Sequence, residues 1–447
     1  MADQENRNYV HVNISELKPA PRNARTHSKA QINKIANSIR RFGYTNPVLI
    51  DKARNVVAGH GRIAAAQQLG MTEVPCVVLE DMSEAERRAY ILADNKLALD
   101  AGWDFEILAV ELQGLIDLGF EVDLTGFSQP EIDLVIQEVQ EASAKPDEPA
   151  DYHPEPGPEP VTRQGDLWGL GRHFLACGDA KDTTVIERLM AGRKADMVFT
   201  DPPYNVRIAG NVCGLGRTKH REFSEASGEM SREQFTEFLA EAFAVAEKAC
   251  RDGAIAFTCM DWRHLGEVIA AGEGVFTELK NICVWSKTNG GMGTFYRSQH
   301  ELVLVWKVGI APHTNTFGLG NKGRYRTNVW TYPGVNTFRT ERMRELASHP
   351  TVKPVALVAD AIRDVSHRGE IVLDIFGGSG TTLIAAEKTG RCARLIEIDL
   401  IYCDVIIRRW ERLTGKNAIL VSTEETFETV KSARLGNGSM QSVDQAA

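Results

Sequence analysis

The stretch EIVLDIFGGSGTTLIAAEKTGRCARLIEID, residues 370–399, narrows the fold more than any other part of the 447-residue chain. Ile371–Asp374 is an apolar run of strand length that leads into Gly377, Gly378 and Gly380, and a helix begins near Thr381. A second such run, Ala393–Ile398, follows that helix. Glycines at this kind of turn permit positive φ and let backbone come close to a ligand. The helix N-terminus offers unpaired N–H donors. Glu397 lies 23 residues beyond Asp374, about where an acid accepts ribose hydroxyls in a Rossmann-type unit. A nucleoside-containing cofactor is therefore expected. The loop lacks G-K-[ST], which argues against a nucleoside triphosphatase.

The same alternation extends upstream. Asp196–Thr200, Ala254–Thr258, Ile282–Trp285 and Leu302–Trp306 read as strands. Ser231 with Gln234 forms a capping box for a helix that places Phe235, Phe238, Leu239, Ala242, Val245, Ala246 and Ala249 on one face. Strands alternating with helices predict an α/β fold, a parallel sheet covered on both faces. Asp201-Pro202-Pro203-Tyr204 stands directly after the strand DMVFT. Strand carboxyl ends are where open α/β sheets bind ligands. The two prolines fix the backbone and remove two N–H donors, leaving carbonyl oxygens free. Asp201 can accept a hydrogen bond from an amino group and Tyr204 offers a flat face. Taken alone, the tetrapeptide reads equally well as a rigid turn.

Composition sets the boundaries. Residues 141–163 hold six of the 17 prolines and read as an extended linker. The net charge of −9 is uneven. Residues 1–100 hold 14 Lys/Arg against 11 Asp/Glu, and residues 101–160 hold one against 15. The acidity thus belongs to helical patterns after Asp100, which read as a solvated face. Residues 281–348 carry nine basic side chains against three acids, a surface suited either to phosphates or to solvent. Expected divisions are an amino-terminal domain at 8–100, an acidic helical segment at 101–140, the linker, a catalytic domain at 164–420, and a disordered tail at 421–447. The eight cysteines form no C-x-x-C pair, which favours a reducing cytoplasm over a disulfide framework or zinc ribbon. No apolar run reaches membrane-spanning length, and the first residues do not read as a secretory signal.

Together, the Asp201-Pro202-Pro203-Tyr204 motif and the glycine loop resemble the amino-group DNA methyltransferases, which modify adenine N6 or cytosine N4. The match covers about residues 162–420. The resemblance implies a Rossmann-like domain using S-adenosyl-L-methionine, with Asp201, Pro202, Pro203 and Tyr204 catalytic and no metal. It assigns Asp374, Phe376, Gly377, Gly378, Gly380, Thr381 and Thr382 to the cofactor loop and Glu397 to the ribose. Thr351 and Lys353, within His349–Pro354, would help enclose the cofactor, and Asp179 would meet its adenine. Catalytic motif before cofactor motif is the order of the beta class, with target recognition near 307–348. Adenine is expected because Asp is commoner at the head of the motif in adenine enzymes, cytosine being the rival. The implied partner is double-stranded DNA, as in restriction–modification, with a homodimer allowed and no membrane. A mainly regulatory binding protein and methylation of RNA or protein are the remaining alternatives.

Residues 8–100 resemble the ParB/sulfiredoxin-like fold, a smaller α+β domain. Asn23-Ala24-Arg25 matches its N-P-R-like segment, and Gly59-His60-Gly61-Arg62 its G-E-R-R-like box. His60 stands in place of the acid and Gly61 in place of an arginine, which speaks against nucleotide hydrolysis or nuclease activity. A glycine turn feeding a helix still suits a phosphate or DNA backbone.

Overall fold

The computed structural model describes residues 9–20, 25–80, 82–100, 102–128, 131–133, 135–136, 154, 157, 159–206, 226–287, 296–316, 326–332 and 353–436. The chain divides into two compact units, Met1–Ser143 and Ala144–Ala447.

The first unit is built on β1 (Tyr9–Asn13), β2 (Val48–Asp51), β3 (Val56–Ala58) and β4 (Glu73–Leu79), ordered β1-β4-β2-β3. Only the β2–β4 pair is parallel. The helix Lys29–Phe42 starts where Ser28 accepts the Gln31 N–H and stops at Gly43, at φ 80°. Val12, Val48, Ile50, Val56, Val74 and Cys76 form the core. In the GHGR box, Gly59 sits at φ 107° and opens the helix His60–Gln68. A Cβ on Gly61 would meet the His27 ring at 3.0 Å, so the missing arginine has no room there. The acidic segment is more than a solvated face. The helix Phe105–Asp117 buries Leu108 and Leu112 in a small core with Val122 and Ile132.

The second unit is one large sheet. Its strands are β5 (Leu167–Leu170), β6 (His173–Cys177), β7 (Ala195–Thr200), β8 (Cys250–Met260), β9 (Glu278–Ser286), β10 (His300–Lys307), β11 (Val329–Thr331), β12 (Ile371–Asp374), β13 (Cys392–Glu397), β14 (Ile419–Leu420) and β15 (Glu425–Thr426). They lie in the order β11-β9-β10-β8-β7-β12-β13-β6-β5-β14-β15. The central five, β8-β7-β12-β13-β6, are parallel, as the alternation predicts. These strands are apolar on both faces because both faces are covered. Val372 enters one hydrophobic layer, with Leu357 and Ile362 of the helix Val355–Val365. Its neighbours Ile371 and Leu373 enter the other, with Phe235 and Leu239 of the helix Arg232–Ala249.

The expected parallel sheet is corrected at its flanks, where antiparallel pairs occur. Two residues join β5 to β6, with Gly171 at φ 61°. A connection so short permits only an antiparallel pair, since parallel neighbours need a crossover of a dozen or more residues. β10 is antiparallel to both β8 and β9. The disordered tail is also corrected. Thr426 caps the helix Phe427–Leu435, and Phe427 is buried with its ring 5.4 Å from Trp168. The linker expected to reach residue 163 ends sooner. Val161 and Thr162 are buried, and their backbone N–H groups donate to Asp404 at 2.7 and 3.0 Å.

The capping box at Ser231 is present in both directions, and the helix it starts carries much of one hydrophobic layer. Ser231→Ala should lower unfolding stability by about 1 kcal/mol, read as a shift in urea midpoint with unchanged slope.

Candidate active site

β6, β13, β12 and β7 are parallel neighbours, so their carboxyl ends open on one side. Asp179 follows β6, Glu397 ends β13, Asp374 ends β12, and Asp201-Pro202-Pro203-Tyr204 follows β7. Residues up to 218 positions apart, Asp179 and Glu397, thereby reach one crevice. Direct bonds tie the ends together. The Thr200 hydroxyl donates to Asp374 at 3.1 Å, and the Gly178 N–H donates to the Glu397 carbonyl at 3.0 Å.

The glycine loop curls back over β13. Gly377 N–H donates to the Ile396 carbonyl at 2.8 Å, and Gly378 N–H to the Glu397 carboxylate at 2.6 Å. Gly380 holds φ 82°, and a Cβ there would meet Ile406 at 3.0 Å, so conformation and space both demand glycine. Thr381 and Thr382 begin the following helix and are buried. Phe376 lies 6.0 Å from the Phe238 ring, over which the Lys181 ammonium sits at 4.9 Å. Asp179, partly exposed, accepts the Lys181 N–H at 2.8 Å.

Burial sets the protonation of these acids. It pushes the Asp374 carboxyl up to about 7, against hydrogen bonds from Thr382, Phe376 and Thr200. It pushes Glu397 up to about 8, against the backbone N–H groups of Asp399 and Gly378. One N–H on each Glu397 oxygen leaves lone pairs free for further donors. A buried carboxyl with acceptor capacity left on both oxygens suits a vicinal diol. The residues present thus fit the sugar of a nucleoside cofactor.

Around Asp201 the structure brings together Lys353, singled out for the cofactor, with Glu301 and Lys287, which no local pattern announces. The Lys353 ammonium donates to Asp201 Oδ2 at 2.6 Å, to Glu301 Oε2 at 2.9 Å and to the Tyr204 hydroxyl at 3.0 Å. Tyr204 donates to Asp201 Oδ1 at 2.8 Å, with Glu301 at 3.1 Å. Lys287 pairs with the other Glu301 oxygen and lies 4.6 Å from the Trp285 ring centre. Burial pushes Asp201 up, opposed by Lys353. Burial would also raise Glu301, but Lys353 and Lys287 outweigh it and hold that carboxyl at about 2. Lys353 is therefore placed on the tetrapeptide, while Thr351 lies outside the described residues, as do His349 and most of 307–348. Asn205, next after Tyr204, adopts φ 50° and fixes the turn by donating to the Met230 carbonyl at 2.9 Å and accepting the Gly228 N–H at 3.0 Å. Asn tolerates this left-handed backbone.

A DNA methylase family profile matches residues 195–408, a ParB N-terminal domain profile residues 1–96, and a ParB-methyltransferase HTH domain profile residues 106–164. Residues 195–408 are an amino-group DNA methyltransferase domain, joined to an amino-terminal ParB-like domain. Among curated proteins, the DNA adenine methyltransferase YhdJ of Escherichia coli K12 is 26% identical over 272 residues, 55% of this chain and 84% of that protein. The ParB-like nuclease domain-containing protein YnaK, from the same organism, is 45% identical over 75 residues, 17% of this chain and 86% of that protein. Among solved structures, the M1.HpyAVI–SAM complex is 20% identical, with a TM-score of 0.39, covering 53% of this chain and 97% of that one. As a DNA methylase, residues 195–408 use S-adenosyl-L-methionine as methyl donor and act on DNA. Among the described residues no cluster could hold a metal, and no helix is long and apolar enough to cross a membrane.

Because Glu397 is protonated more readily in the folded methyltransferase than in the unfolded chain, its contribution to stability is complete below about pH 4.5 and is lost as pH rises through about 8. Glu397→Gln should flatten this part of the profile, gaining on the order of a few kcal/mol relative to wild type near pH 8. Chemical denaturation across pH 4 to 9 without cofactor checks it.

Proposed function

We propose that the methyltransferase modifies the N6 amino group of adenine, with Asp201 and the Pro202 carbonyl as the acceptors that activate it. The observation that carries this reading is the position of Asp201. It lies at the end of β7, one residue from Thr200, which bonds Asp374 at the start of the cofactor loop. Similarity to an adenine methyltransferase supports adenine over cytosine, as does the Asp heading the tetrapeptide.

An exocyclic amino nitrogen is a poor nucleophile because its lone pair is conjugated into the ring. Hydrogen bonds from both its N–H groups, to Asp201 and the Pro202 carbonyl, favour a more pyramidal and nucleophilic nitrogen. When bound, S-adenosyl-L-methionine supplies an electrophilic methyl group. Glu397 holds the ribose hydroxyls, Asp179 and Phe376 border the adenine, and Gly377, Gly378 and Gly380 let the backbone come close. The target atom is out of reach inside a duplex, so the base is flipped, and unstacking costs a few kcal/mol. Stacking on Tyr204, about 1–3 kcal/mol per base, offsets part of that. The cysteines among the described residues are free thiols, which supports a cytoplasmic setting.

Expressed in a host without DNA methylation, the chain should leave N6-methyladenine in digested host DNA. Asp201→Ala should leave none, while the purified variant binds S-adenosyl-L-methionine within about threefold of wild type by calorimetry. N4-methylcytosine in place of N6-methyladenine would overturn the adenine reading. Loss of cofactor binding in the variant would overturn the role given to Asp201.

A further inference from the structure

Lys353 sits where a merely structural lysine would not. Its side chain is 4% exposed. Its three partners, Asp201, Glu301 and Tyr204, match the three N–H donors of an ammonium. They come from separate parts of the sheet, since Asp201 and Tyr204 follow β7 and Glu301 lies in β10. Lys353 itself stands just before the helix Val355–Val365. Behind Glu301, Lys287 completes the set, so two carboxylates and two ammonium groups balance.

We propose that Lys353, braced by Glu301, is a positioning residue that keeps Asp201 ionised and oriented as acceptor of the substrate amino group. The proposal rests on the reading of Asp201 as that acceptor. An ionised carboxylate has roughly four lone-pair sites. Lys353 on Oδ2 and Tyr204 on Oδ1 fix the plane of the carboxylate and leave sites on both oxygens for an amino N–H. Without Lys353, two like charges would share a buried site, and one carboxyl would retain its proton. Glu301 keeps Lys287, so the proton falls on Asp201, which burial already pushes up. A protonated Asp201 puts an O–H donor where an acceptor is needed and offers the amino group only the weaker acceptor of a neutral carboxyl. Among the described residues, the remaining groups that face Asp201 are the Cys259 thiol of β8 and Asp374 of β12. Burial pushes that thiol well above its ordinary range, so it stays neutral, and neither group can replace the lost cation.

The test is the pH dependence of kcat/KM for DNA at saturating cofactor, which reports groups of the cofactor-bound enzyme before DNA binds. The acid limb of Lys353→Met should move to higher pH by roughly 1–3 units, the effect of an opposite charge at this distance. Its rate at pH 7 should fall at least about tenfold and recover as pH rises. Lys353→Arg should return the limb toward the wild-type position. Glu301→Gln, which removes the like charge but keeps an acceptor, should move the limb the other way. Cofactor affinity, by calorimetry, should stay within about threefold in all three. A loss in Lys353→Met that is uniform across pH and not relieved by Lys353→Arg would overturn the proposal. So would a loss of cofactor affinity, or limbs of Lys353→Met and Glu301→Gln displaced in the same direction. Asp201→Ala, which removes the acceptor, separates the two levels. If it methylates at the wild-type rate, the reading of Asp201 fails. If it is inactive while the Lys353→Met limb stays in place, only the role of Lys353 fails.

Discussion

Burying a carboxylate is expensive unless its charge is paired or removed, and four acids are buried or half-buried at or beside the strand ends of this methyltransferase. Each is accommodated differently. Asp201 is paired with Lys353, and Glu301 with Lys353 and Lys287. Asp374 is held by hydroxyl and backbone donors, and Glu397 by backbone N–H groups. In the function proposed, the two with lysine partners form the half of the crevice that receives the base. The two without remain near neutrality in the half that receives the cofactor. Opposite environments thus divide chemically similar side chains into an electrostatic site and a hydrogen-bonding one.

The sheet makes this division possible. A parallel centre delivers four strand ends to one side, and both faces are filled by helices, so the ends can be buried without any one loop enclosing them. The antiparallel β10 then brings Glu301 in from outside the parallel set, across β8 from β7. Glycines at 377 and 380 allow the loop after β12 to press against Ile396 and Ile406. The Gly378 N–H reaches Glu397 as a result.

Much of this was legible in the chain because the signals are local. The glycine loop, the spaced acid at 397, the capping box at Ser231 and the strand DMVFT each occupy a few consecutive residues, and each folds as its local chemistry dictates. Strand direction was not legible at the flanks, because an apolar run looks the same whichever way it pairs. Glu301 was hidden for a related reason. It stands inside an ordinary strand pattern, 100 residues from Asp201, and nothing in its own neighbourhood marks it as paired to two lysines. Lys353 carried a signal, the His349–Pro354 segment, but a motif names a residue without naming its partner. In the tail, polar residues between 421 and 426 masked the short helix beyond them. Phe427 and Val430 are enough to anchor it.

The amino-terminal unit departs from its family where side chains crowd. Gly61 packs against His27 and Ile35, and His60 accepts the Ala20 N–H at 3.2 Å. Those positions serve packing and turn closure in this unit. The central claim concerns the other one, that the substrate amino group is held by an Asp201 kept ionised by Lys353. It is tested most directly by a structure of the methyltransferase with duplex DNA and a non-reactive S-adenosyl-L-methionine analogue. The account predicts a flipped base with its amino nitrogen about 3 Å from Asp201 and Lys353 still on that carboxylate. A base seated away from Asp201, or a Lys353 turned to the cofactor, would contradict it.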